Sequence, residues 1–283
     1  MRNFECDQNI DIAWCPGCGN FPIRKTIIDA LNELELDPHQ VVFSSGIGQA
    51  AKMPQYLKTN YFNGLHGRGL PVAVAIKASN PDLTVIAEGG DGDMYGEGGN
   101  HFIHNVRRNP NLTHIVHNNR VYGLTKGQGS PTSQIGFKTP VQVSGVIHEP
   151  LNPLAIALVS GATFVARAFS GDAKLMKEII KEAIRHEGYA LIDLLHPCVS
   201  FNKVNDFKWY KENTYKISED HDPTDLKAAI AVATEGDKLP LGILYQNKKK
   251  KSFEKKASVY QEESTPVVKR KRDLKKVNQL IYK

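Results

Sequence analysis

One constellation in the chain has the chemistry of a hard-cation site. Gly90-Asp91-Gly92 is followed, after 25 residues, by Asn118-Asn119. A carboxylate oxygen, an amide oxygen and a nearby backbone carbonyl are the ligands Mg²⁺ prefers, with diphosphate oxygens and water completing an octahedron. Glycines beside the carboxylate let the backbone approach a diphosphate, and a following helix N-terminus supplies amide donors. A second constellation suits a soft metal. Cys15 and Cys18 lie on the Pro-Gly turn of WCPGCGNF, residues 14–21, and are two of only four cysteines. A site of this kind takes four ligands, so the residue types leave open whether Cys6 and Cys198 complete it.

These residues must be carried by regular elements. Apolar positions recur at helical spacing over 21–36, and VVFSS, 41–45, reads as a strand. An Ala-rich helix is expected around 69–79, a strand at 83–90, a helix around 97–108 and a strand at 112–119. Helix 152–160, strand 163–167, helix 172–186 and strand 189–195 follow. Strands alternating with helices predict an α/β fold, a mostly parallel sheet with helices on both faces. Asp91 and the Asn pair then fall at the carboxyl ends of successive strands, where such sheets form their ligand crevice. The stretch 120–150 is rich in Gly, Ser, Thr and Pro, and loops of that length are commonly functional. Beyond residue 200 the pattern weakens, with a small unit at 201–246 expected to hold a helix near 224–234 and a strand at 241–245.

The net charge of +6 is unevenly placed. Residues 246–283 hold 13 Lys or Arg against 4 Asp or Glu, so the body is slightly acidic and the basic excess belongs to the tail, 247–283. Few aromatic residues accompany the basic runs, so a flexible, solvated extension is expected rather than a nucleic-acid site. The N-terminus lacks the basic-then-apolar order of a signal peptide, and no apolar stretch reaches membrane-spanning length. Four cysteines in 283 residues do not suggest a disulfide framework. The expectation is a soluble cytoplasmic protein.

GDG-x25-NN resembles the thiamine diphosphate signature. SGIGQAAK, GLHGRGLP, GGDGDMYGEGGNHFIHNVRRN, NNRVYGLTKGQGSPTS and HPCVSFNK together resemble the β subunit of 2-oxoacid:ferredoxin oxidoreductases, over about residues 12–206 and more weakly to 246. The resemblance implies a thiamine diphosphate-binding domain at 1–200 and Mg²⁺ held by Asp91, Asn119 and the carbonyl of Val121. Ile47, between Gly46 and Gly48, matches the residue that props thiamine into its bent shape. Gly90, Gly92, Asp93, Gly123, Leu124 and Thr125 are matched to cofactor contacts. His66, Arg68 and Lys126 are matched to positions near the substrate, with Lys126 expected to hold its carboxylate. The implied reaction is oxidative decarboxylation of a 2-oxoacid, with electrons passing to ferredoxin or flavodoxin and the acyl group to coenzyme A. Pyruvate, 2-oxoglutarate and branched or aromatic 2-oxoacids share this core, and the pattern leans toward the 2-oxoglutarate or broad-specificity type. The acid that activates the cofactor's aminopyrimidine resides in that family on the partner α subunit, so an α (or α/γ) partner is implied and the chain alone is expected to be inactive.

Rival readings fit less well. Gly46-Ile47-Gly48-Gln49-Ala50-Ala51 satisfies a loose dinucleotide fingerprint, but no Asp or Glu occurs from Gln49 to Pro81 to bind a ribose. A metal-knuckle module with a basic tail would need a second closely spaced ligand pair, which the sequence does not offer. A non-redox thiamine diphosphate-dependent decarboxylase or synthase subunit is the nearer alternative. His101, His104, His114 and His117 receive no role. In the family the Cys-x-x-Cys turn provides two ligands of a [4Fe–4S] cluster. Cys15, Cys18 and Cys198 match three of the ligands, but the remaining position is Gln49, a hard amide where a thiolate is usual. Cys6 could substitute, a three-cysteine cluster could form, or the site could be empty.

Overall fold

The computed structural model describes residues 4–6 and 10–282. Among the described residues eight strands form one sheet: β1 (Val41–Ser45), β2 (Asn60–Asn63), β3 (Thr84–Gly90), β4 (Leu112–Asn118), β5 (Phe164–Phe169), β6 (Tyr189–Leu195), β7 (Thr214–Lys216) and β8 (Leu239–Gln246). Their order is β2-β1-β3-β4-β6-β5-β8-β7, and every neighbouring pair is parallel except β5 with β8. The helices are α1 (Asn20–Glu33), α2 (Gly69–Ser79), α3 (Gly99–Arg108), α4 (Pro153–Val159), α5 (Ala173–Arg185), α6 (Phe207–Asn213), α7 (Leu226–Thr234), α8 (Phe253–Lys256) and α9 (Leu274–Ile281).

Alternation along the strands divides the core into two layers. On one face Ile23, Ile27 and Leu31 of α1 and Met176, Ile179 and Ile180 of α5 pack with Phe43, Ile86, Ile115 and Ile192. On the other, Leu70, Phe102, Val106, Leu154 and Leu158 from α2, α3 and α4 pack with Val85, Val116 and Leu191. Both faces being covered, β4 and β6 are buried at every residue, and β6 (YALIDLL) reads as a near-continuous apolar run rather than an alternating one. Each fully buried Ile or Leu contributes about 1.5–3 kcal/mol, so these two layers hold the sheet rigid beneath its loops. The expected mostly parallel sheet with helices on both faces is the one observed.

Three expectations about the chain's organisation need revision. The stretch 201–246 adds α7 and β8 to the same core and sheet, since β8 runs antiparallel to β5 and Leu244 joins the second apolar layer. The tail is not a solvated extension throughout. Its first part is laid against the body: Phe253 N donates to Asn109 O (2.8 Å), Asn109 Nδ2 to Lys251 O (3.2 Å) and the Tyr260 hydroxyl to Ala78 O (2.6 Å). Ser252 and Glu254 are buried there, while α9 is exposed along its length. The helix expected to start near 97 begins at Gly99, because Gly92–Glu97 forms a π-type turn in which Gly98 N reaches back to Asp93 O (2.8 Å).

The topology brings the chemistry together. β2, β1, β3, β4 and β6 lie side by side and parallel, so the loops after their carboxyl ends, around 64–68, 46–49, 91–98, 119–131 and 196–201, open on one side of the sheet. No helix among the described residues is long and apolar enough to cross a membrane.

Candidate active site

Those loops border an open cleft of about 880 Å³, its solvent-filled mouth included. Its lining includes Asp91, Gly92 and Asp93 after β3, Asn119, Val121 and Gly123–Thr125 after β4, Ile47, Gly48 and Gln49 after β1, and His66 after β2. The Cys-x-x-Cys turn ahead of α1 and Cys198 after β6 complete the wall.

Asp91 is buried at the end of β3. Its Oδ2 accepts hydrogen bonds from the Ser130 and Thr132 hydroxyls, both at 2.6 Å. Burial pushes its carboxyl up to about 6, against the lowering effect of those two hydroxyls and the Gly92 N–H. The Thr132 hydroxyl also lies 2.8 Å from Asn118 Oδ1, whose amide nitrogen donates to Asp193 Oδ1 (3.0 Å). Asp193 in turn accepts from Arg167 Nε (2.7 Å) and the Tyr95 hydroxyl (3.1 Å). A connected buried network therefore runs from Asp91 into the middle of the sheet. Asn119, the first residue beyond β4, accepts Val121 N at its Oδ1 (3.1 Å) and Asn202 Nδ2 at its carbonyl (3.1 Å). An amide oxygen has two lone pairs, so Oδ1 keeps one for a cation.

Asp93 has a different task. Its Oδ1 accepts the backbone N–H groups of Gly67 (2.8 Å) and Ile47 (3.1 Å), and His66 Nδ1 lies 2.8 Å away. One carboxylate so fastens the loops after β1 and β2 beside the cleft. Burial raises its carboxyl above the usual range, and those two amides and His66 oppose the rise. A Cβ on Gly46 would overlap this carboxylate, which accounts for the glycine. Gly92 is likewise explained by packing, because a Cβ there would overlap the Tyr122 ring. Gly90 has no such neighbour, its nearest being His117 O at 3.9 Å. Ile47 stands 37% exposed, an isoleucine presented to the cleft rather than to the core.

The structure does not gather every expected residue. Arg68 and Lys126 are not among the residues lining the cleft: Arg68 Nη1 pairs with His101 Nε2 (2.8 Å), and Lys126 is exposed in a left-handed turn (φ 69°) next to the lining Thr125. Cys15, Cys18 and Cys198 share one wall with Gln49, while Cys6, beyond the Glu5–Leu57 bridge, is not among the lining residues. Burial pushes the Cys18 thiol up to about 11, with the nearby Cys198 and Cys15 adding to the rise. The indole N–H of Trp14 donates to Gln49 O (2.8 Å), whereas Gln49 Oε1 is buried with no hydrogen-bond partner among the described residues. Among the described residues no three His, Cys, Asp or Glu side chains could hold a single metal ion. Three thiolates and one amide oxygen do not fit a four-thiolate cluster.

The sequence motifs assign no role to Ser130, Thr132, Asp193 or His117. His117 Nε2 lies 2.7 Å from Glu88 Oε1, and its Nδ1 lies 2.9 Å from Asn20 Oδ1, which lines the cleft. A charged residue inside an apolar strand, as in VIAEGG or LIDLL, was the available signal.

Comparisons with known proteins agree with this architecture. Residues 39–194 match the family described as thiamine pyrophosphate enzyme, C-terminal TPP binding domain, and residues 198–262 match the family of the C-terminal part of the pyruvate ferredoxin oxidoreductase beta subunit. The chain is 45% identical over 257 residues to the 2-oxoacid:ferredoxin oxidoreductase subunit beta of Saccharolobus solfataricus, covering 86% of this chain and 84% of that one. It is 34% identical over 220 residues to a 2-oxoglutarate synthase subunit KorB of Methanocaldococcus jannaschii, covering 75% and 82%. Among solved structures, a 2-oxoglutarate:ferredoxin oxidoreductase from Magnetococcus marinus with 2-oxoglutarate, coenzyme A and succinyl-CoA bound superposes with a TM-score of 0.91 at 37% identity, covering 98% of this chain and 94% of that one. The chain belongs to the β subunits of the 2-oxoacid:ferredoxin oxidoreductases, the thiamine diphosphate-binding subunits of multi-subunit enzymes.

Proposed function

We propose that the cleft holds thiamine diphosphate through one Mg²⁺ ion ligated by Asp91, Asn119 and the Val121 carbonyl, for oxidative decarboxylation of a 2-oxoacid in a cytoplasmic complex with an α subunit. The observation that carries this is the fixed Asp91 carboxylate at the end of β3, beside Asn119 at the end of the adjacent β4. When bound, thiamine diphosphate supplies a carbon nucleophile and an electron sink for the decarboxylation. The chain supplies position. Ile47 offers an apolar support, Asp93 fastens the two flanking loops, and His66 is held with Nδ1 against Asp93. Lys126, next to the lining Thr125, is assigned the substrate carboxylate.

Among the described residues the acids lining the cleft are Asp91 and Asp93, and both are engaged by this chain's own donors. That supports a partner α subunit as the source of the acid serving the cofactor. Coenzyme A and ferredoxin or flavodoxin are the remaining co-substrates, with 2-oxoglutarate favoured among 2-oxoacids by the names of several relatives. The Cys15, Cys18, Cys198 and Gln49 corner falls one thiolate short of a four-thiolate cluster, and no electron-transfer step is assigned to it.

Co-expression with a candidate α (or α/γ) partner tests the reading. The complex, given thiamine diphosphate and Mg²⁺, is expected to reduce ferredoxin or a viologen dye only when both a 2-oxoacid and coenzyme A are present. Failure across a panel of 2-oxoacids would overturn it.

A further inference from the structure

Asp91 offers two carboxylate oxygens, and its two side-chain hydroxyl donors fall on the same one. Ser130 Oγ and Thr132 Oγ1 both sit 2.6 Å from Oδ2. Both donors come from the long segment between β4 and α4, which contains no helix or strand. Ser130 and Thr132 are buried, although most residues just before and after them in that segment are partly or fully exposed. The same short stretch is fastened to the start of the loop, since the Ser133 hydroxyl donates to Arg120 O (2.6 Å) and Ser130 N donates to Ser133 Oγ (2.8 Å). Ser130 and Ser133 also line a second cavity, enclosed largely by residues 141–149 of this loop.

We infer that Ser130 and Thr132 are positioning residues that divide the labour of Asp91, holding Oδ2 so that Oδ1 meets the cation, and that through them the cation site and the 120–150 loop order one another. The inference rests on the reading of Asp91 as a cation ligand. A carboxylate free to rotate presents either oxygen, or both, to a metal. One held at Oδ2 by two hydroxyls presents a single oxygen in a single direction, as near-octahedral Mg²⁺ requires. Linkage follows from the same contacts. Two of the loop's buried anchors are hydroxyls on Asp91, so a cation that fixes Asp91 fixes those anchors, and an anchored loop presents a prepared carboxylate to the cation. The segment that carries Leu124, Thr125 and Lys126 past the cleft is then set by occupancy of the metal site.

The test uses the full chain co-purified with its α partner. Mn²⁺ binding in the presence of thiamine diphosphate is followed by the loss of the free-ion electron paramagnetic resonance signal. Trypsin cleavage at the loop residues Lys126 and Lys138 is scored with and without both ligands. Wild type is expected to bind Mn²⁺ and to be protected when loaded. Thr132→Val should weaken Mn²⁺ binding by about 10- to 100-fold, the usual loss when an outer partner of a metal ligand is removed, and should abolish the protection. Thr132→Ser should restore both. If Thr132→Val does not fold, Ser130→Ala, which removes the other hydroxyl, carries the same expectation. Wild type that fails to bind Mn²⁺ overturns the assignment of Asp91 and the inference with it. Wild-type binding together with unchanged affinity and protection in the folded variants overturns the inference alone, as does a Thr132→Ser variant that behaves like Thr132→Val.

Discussion

Glu88 Oε1 and His117 Nε2 lie 2.7 Å apart on neighbouring strands, with both side chains fully buried beneath the cleft. Burial raises the Glu88 carboxyl well above its usual range and lowers the His117 imidazole to about 3. Both shifts favour uncharged partners, a protonated acid against a neutral ring, over an ion pair.

That assignment predicts the behaviour of Glu88→Gln. A carboxyl whose folded value is raised contributes stability that is complete below its unfolded value near 4.5 and is lost as pH rises through the folded value. Glutamine keeps the shape and cannot ionise. Urea unfolding at pH 8 is therefore expected to find Glu88→Gln at least as stable as wild type. A loss of about 3–5 kcal/mol, the usual result of breaking a buried ion pair, would contradict the neutral pair.

His114 gives a cleaner pH signature. Its Nδ1 lies 2.6 Å from the Tyr189 hydroxyl, and burial lowers the ring from 6.5 to about 3. The unfolded chain takes up this proton below pH 6.5 while the folded chain does not, so stability is complete above that pH and falls between 6.5 and 3. The slope is about 1.4 kcal/mol per pH unit for one group. Subtracting the profile of His114→Phe from that of wild type should isolate this slope, over a pH-independent cost of about 1–3 kcal/mol for the orphaned Tyr189 hydroxyl. Parallel profiles would show that His114 titrates normally.

Gln49 predicts a metal phenotype. With three cysteine sulfurs and one amide oxygen that has no partner among the described residues on the same wall, anaerobically purified wild-type complex is expected to carry less iron at this corner than Gln49→Cys. The variant should reach about four iron and four sulfide per β subunit, as a cysteine-ligated [4Fe–4S] site requires. Equal iron in the two proteins would show that Gln49 does not limit the site.

How much of this was legible depends on the physical signal each part leaves. The bounds of β1, α2 and β6 coincide with those expected, because apolar runs flanked by turn residues mark where an element begins and ends. β2 leaves no apolar pattern in the sequence, since all four residues of NYFN are exposed and it pairs on one side alone. β8, carrying Pro240 and Gly242, reads weakly as a strand, and nothing local reveals that it closes onto β5. In the site, Asp91, Asn119 and the cysteines were visible as residue types at a spacing. Ser130 and Thr132 were hidden because hydroxyls in a Gly- and Pro-rich loop look like turn formers. Gly92 was expected to admit a diphosphate, and the Tyr122 ring that fills its space arrives from a distant loop. The docking of the tail depends on Asn109 and Asn111, far away in sequence.

The central claim is that Asp91 anchors the cofactor through a divalent cation. The direct measurement is the affinity of the complex for thiamine diphosphate at fixed Mg²⁺, wild type against Asp91→Ala, with folding checked by thermal unfolding. Binding weakened by at least roughly 100-fold in a folded variant, beyond the range for loss of an outer partner, is the predicted result. Unchanged affinity in a folded Asp91→Ala complex would contradict it.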